Sequence, residues 1–113
     1  MKEEFLLTTR APILIKLAIE QVAAETGVDH RFILAVILQE SGGCVRVPTS
    51  NWGVRNPGLM QSHDGSHTCN SDITGVISNP CSQATITGMV TDGVAGTSTG
   101  WGLADCINES DWW

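Results

Sequence analysis

Glu40 stands at the end of an unbroken apolar run, Phe32-Ile33-Leu34-Ala35-Val36-Ile37-Leu38, and is followed by Ser41-Gly42-Gly43 and later by Gly58-Leu59-Met60-Gln61. A carboxyl group against an apolar wall resists ionising, because desolvation disfavours the charged form. Such a group can stay protonated near neutrality and give its proton to a leaving oxygen, which is the work of a general acid.

The elements that must position this carboxyl are helical. Over residues 9–26, Leu14, Ile15, Ala18, Ile19 and Val22 form one apolar face opposite Lys16 and Glu20, with Pro12 tolerated in a first turn and Gly27 as the stop. Asp29 can cap a second helix, whose seven apolar residues imply burial nearly all round. A buried strand is the competing reading of that run. The cap and the Gly42-Gly43 break favour the helix, with Glu40 at its end. Residues 42–71 are rich in Gly, Ser, Asn and Pro and read as loop. Residues 72–78 could hold a helical turn ended by Asn79-Pro80. A third helix is expected over residues 82–91, with Ile86, Met89 and Val90 inward, and a last short segment over residues 103–107.

At 113 residues, with 42% hydrophobic and 16% charged content, the chain fits one domain over residues 9–113 behind a flexible N-terminus, residues 1–8. Met1-Lys2-Glu3-Glu4 read as residues added to a mature or trimmed form. No secretory signal is visible, because the first apolar stretch is interrupted by Lys16. Cys44, Cys69, Cys81 and Cys106 form an even set without a C-x-x-C pair, so two disulfides are expected rather than zinc, with three pairings open. Disulfides imply an oxidising, extracellular compartment. A net charge of −6 with only six Lys and Arg argues against nucleic acid, and no apolar stretch is long enough to span a bilayer.

The order Glu40-Ser41-Gly42, Asn51-Trp52-Gly53-Val54-Arg55-Asn56 and Gly58-Leu59-Met60-Gln61 resembles the goose-type lysozyme and soluble lytic transglycosylase superfamily. The resemblance implies a mainly α, lysozyme-like domain with a long glycine-rich loop region, here stapled by disulfides. It also implies a secreted protein that cleaves β-1,4-linked N-acetylhexosamine polymers, peptidoglycan first and chitin second, as a lytic transglycosylase or a lysozyme. Glu40 would be the proton donor and Ser41 a supporting hydrogen bonder. Gly58 admits a sugar ring close to the backbone, Leu59 and Met60 wall the acid, and Gln61 bonds acetamido or hydroxyl groups. Asn56 joins the substrate site, and Trp52 can stack on a pyranose face. No cofactor or metal is implied.

Two positions depart from the family. Goose-type lysozymes place Asp where this chain has Val54, and another where it has His63, which leaves Asp64 as the nearby second carboxylate. Loss of the water-activating group favours a route in which one Glu acts as acid and then base while the sugar's own 6-hydroxyl attacks. Transglycosylases also carry a late tyrosine. This chain has none, so it reads as a short or truncated member lacking the family's C-terminal helix. The alternative is a catalytically inactive lysozyme-like fold that binds glycan or a protein partner. A third is a disulfide-stapled secreted protein that engages another surface with no glycan role. His63, Asp64, His67 and Cys69 match no established metal motif and read as a solvated loop. Asn108-Glu109-Ser110 is a glycosylation sequon. Trp101, Trp112 and Trp113 are read as packing residues or a sugar-stacking tail.

Overall fold

The apolar period of the first helix continues into good helix formers on its N-terminal side, and α1 accordingly runs Lys2–Thr26. Its start therefore lies well before residue 9. Pro12 is inside the helix rather than in its first turn, where it removes one N–H from the ladder. The computed structural model describes residues 2–109, with side chains placed over residues 10–108. Trp112, Trp113 and Ser110 of the sequon lie outside the described residues, while Asn108 is exposed.

Four helices and one hairpin make the described fold, which is mainly helical: α1, α2 (His30–Ser41), β1 (Ser50–Asn51), β2 (Arg55–Asn56), α3 (Gln83–Ala95) and α4 (Leu103–Glu109). Ile15, Ala18, Ile19 and Val22 recur at helical spacing on α1 and are buried. They pack chiefly against α3, whose Ile86, Met89, Val90 and Val94 are buried in turn. Leu59 and Met60 from the intervening loop complete this core.

α2 has the expected ends. Asp29 accepts from the Arg31 N–H at 2.8 Å, and Gly42 closes the helix in a left-handed conformation (φ 63°), donating to the Leu38 carbonyl. Its burial corrects the sequence reading. Only Ile33 and Ile37 are buried, whereas Phe32, Leu34 and Leu38 are exposed, because α2 packs along one side only.

The Arg31 side chain and backbone N–H hydrogen-bond Asp29 and hold its carboxyl well below the usual carboxylate range. A group whose folded pKa is depressed contributes stability above its unfolded value, and loses that contribution as pH falls through the folded one. Melting followed from pH 6 downward should show Asp29→Asn losing less stability in acid than the parent, since Asn still caps the helix without a charge to protonate.

Residues 70–80 form a returning loop that holds a single helical turn, in which Gly75 N donates to the Ser71 carbonyl at 2.9 Å. Asn70 bridges Ile77, Ser71 N donates to the Val76 carbonyl at 2.9 Å, and Ser71 Oγ accepts from Ile73 N and Thr74 N. Gly75 at φ 73° supplies the reversal after Ile73 and Thr74, and Val76 and Ile77 then run back beside Ser71 and Asn70. The turn brings Cys81 back to Cys69, and the two form a buried disulfide. The expected second disulfide is absent: Cys44 and Cys106 are free and exposed. Cys44 lies by the N-terminal end of α3 and Cys106 on α4 beyond its C-terminal end. The 13 residues of α3 span roughly 20 Å, against the ~7 Å Cα separation a disulfide tolerates.

Candidate functional site

Glu40 is the penultimate residue of α2 and is exposed. No apolar wall covers it. Leu59 and Met60, expected to supply that wall, are instead buried in the core, and Met60 packs on Gly93 of α3 so closely that a Cβ there would collide with it. Ser41 is also spent locally: its Oγ donates to the Ile37 carbonyl at 2.9 Å and accepts from Gly43 N at 3.2 Å, finishing the helix end.

What distinguishes Glu40 is its lack of a partner. Asp29 is held by Arg31, Asp64 and Asp72 by Arg55, Asp92 by His67, and Glu20 by Lys16. Glu25 accepts from Gln21, and Asp105 from the Gly102 N–H. Among the described carboxylates Glu40 alone is left without a hydrogen bond or ion pair.

The loop after α2 leads into the β1–β2 hairpin, in which Ser50 faces Asn56 and Asn51 faces Arg55. Trp52 at its tip is 90% exposed, its indole free to meet a flat apolar surface. Asn56 Nδ2 donates to the Val54 carbonyl at 3.0 Å and so braces the hairpin rather than pointing away from it. Gly58 is buried at φ 82°, and a Cβ there would stand 3.0 Å from Met89 Cγ and 3.1 Å from the His67 carbonyl. Here the glycine serves close packing of the chain on α3 rather than an open ligand approach.

Gln61 joins the parts. It occupies the left-handed region at φ 47°, which an L side chain adopts at a cost of about 1–2 kcal/mol. Its amide holds it there. Oε1 accepts from Ser50 Oγ at 2.7 Å, while Nε2 lies 3.0 Å from the Gly58 carbonyl and 3.4 Å from the Pro48 carbonyl. Hairpin, preceding loop and the turn at residues 58–61 are therefore one cross-bonded unit.

Asp64 is exposed, also left-handed (φ 52°), and partnered. Its Oδ1 lies 3.9 Å from Arg55 Nη1, and its Oδ2 accepts from Thr99 Oγ1 at 3.4 Å. Arg55 is a structural hub that sequence reasoning missed. Its guanidinium makes a forked contact with Asp72, the shortest 2.7 Å, and donates to the Gly65 carbonyl at 2.8 Å. Those bonds push its own pKa up and hold the Asp72 carboxyl down.

Also missed was the pair of His67 and Asp92. Asp92 Oδ2 lies 2.9 Å from His67 Nδ1 and accepts from the N–H groups of Ser66 and His67, each at 3.2 Å. The ring rests on Gly88, where any Cβ would collide with it. This pins the loop to α3. With His67 so used, Cys69 in a disulfide and His63 against Gly100, the four residues weighed as a metal cluster are dispersed among separate contacts. Among the described residues no helix is long and apolar enough to cross a membrane. Comparison with family models, curated proteins and solved structures finds no match to this chain.

Proposed function

We propose that this is a secreted, lysozyme-like protein that cleaves β-1,4-linked N-acetylhexosamine polymers, peptidoglycan first and chitin second, with Glu40 as the general acid. The observation that carries the reading is the unpartnered, accessible carboxyl of Glu40 at a helix end, in a chain whose other described carboxylates are all engaged. The rigid unit of hairpin and Gln61 turn gives a fixed surface beside the loop that leaves Glu40, and Trp52 gives it a stacking group. The Cys69–Cys81 disulfide agrees with an oxidising compartment.

In this reading Glu40 protonates the glycosidic oxygen, and positive charge develops on the sugar ring as the bond lengthens. The 6-hydroxyl of the same sugar then attacks the anomeric carbon, and the Glu40 carboxylate takes its proton. Asp64 is not assigned the second role, because Arg55 and Thr99 already hold its oxygens. Mass spectrometry of a digest of purified cell wall tests the route. A 1,6-anhydro end is the expected product, whereas a reducing end requires a water-activating group outside this scheme.

A second reading is an inactive lysozyme-like fold that binds glycan or a protein partner. It is favoured by the missing apolar wall around Glu40 and by the full exposure of Trp52. Measured binding of chito-oligosaccharides or muropeptides without released product selects it.

A further inference from the structure

The described cations of this acidic chain also divide into partnered and unpartnered groups. Lys16, Arg31 and Arg55 each hold an acidic partner. Arg10 and Arg46 hold none among the described residues, and both line the same cavity, about 410 Å³ in volume. The cavity lies between the α1 turn at Arg10, the loop at Cys44 and Arg46, and the start of α3 at Gln83. Among the described residues no Asp or Glu contributes to its lining, although the chain carries 12 acidic residues against six basic ones. Leu14 and Ile86 give it an apolar wall.

Two arginines on the lining of one cavity, with no described acidic residue beside them, give it a positive potential that favours an anion. Guanidinium is also the side-chain group best matched to the paired oxygens of a carboxylate or phosphate. We propose that this cavity is a binding site for a small organic oxyanion, its carboxylate or phosphate between Arg10 and Arg46 and its carbon body against Leu14 and Ile86. The site makes no use of Glu40 and stands whether or not the chain cleaves glycans.

Cys44, a free exposed thiol in the cavity lining, reports on occupancy, and Cys106, which follows Asp105 on α4, is the internal control. In a Cys106→Ser chain the thiol rate is measured with dithiobis(nitrobenzoate), which carries carboxylates, and with neutral dithiodipyridine. The Cys44→Ser chain reports Cys106 in the same way. The ratio of the two rates is expected to be about 10-fold higher at Cys44 than at Cys106, and to fall toward the Cys106 value in Arg10→Gln and Arg46→Gln. Arg46→Lys, which retains the charge, should keep most of the preference. In the unsubstituted cavity, acetate, citrate and inorganic phosphate should each slow Cys44 more than chloride does at equal ionic strength. Slowing by the carboxylates alone assigns a carboxylate ligand, and slowing by phosphate alone a phosphate. Equal rate ratios at the two cysteines, or slowing that follows ionic strength whatever the anion, overturns the site.

Discussion

Glu40→Gln is expected to lower cleavage of purified cell wall by about 10²–10⁴-fold, the usual contribution of a positioned general acid, while leaving the fold and glycan binding intact. The variant isolates the proton. Gln keeps the size and polarity of the side chain at an exposed helix end, and no hydrogen bond or ion pair of Glu40 is lost with the carboxyl. Melting temperature should therefore stay close to the parent's, so a fall in turnover cannot be assigned to unfolding. The exposed setting also locates the missing desolvation. With Leu59 and Met60 turned into the core, it is a bound sugar chain over Glu40 that would exclude water from the acid. Truncated substrates should then lose turnover as well as affinity. Unchanged lysis by Glu40→Gln would remove Glu40 from the reaction.

Local physics made much of this fold legible. The i, i+3, i+4, i+7 pattern of Ile15, Ala18, Ile19 and Val22 names the buried face of α1, and Ile86, Met89 and Val90 do the same for α3. Asp29 and Gly42 mark the ends of α2, because capping and a left-handed stop are properties of a few neighbouring residues. What failed was everything that depends on how many neighbours an element has. The run from Phe32 to Leu38 is equally compatible with burial all round and with one packed side, and α2 has only one. The pairings of Arg55 with Asp72 and of His67 with Asp92 join residues far apart in the chain, and no spacing rule announces them. The cysteine set failed for the same reason. An even count implied two bridges, but α3 stands between Cys44 and Cys106.

The candidate site shows the same division, and Leu59 separates its two readings. As part of a wall around the acid, Leu59→Ala would change the pH dependence of turnover. As a fully buried core residue between the loop and α3, it should instead cost about 2–5 kcal/mol of stability, the range for emptying a well-packed aliphatic site. For a chain of this size that is a fall of roughly 10–20 °C in melting temperature. The loss is a large part of the stability available to a small domain. The surroundings resist collapse into the space, since Gly58 and Met60 on either side are pinned against Met89 and Gly93. Denaturant unfolding measures the stability, and the pH profile of lysis below the new melting point measures the other role. The expected result is a lower unfolding midpoint with an unchanged pH profile. A shifted profile at full stability would return Leu59 to the wall of the acid.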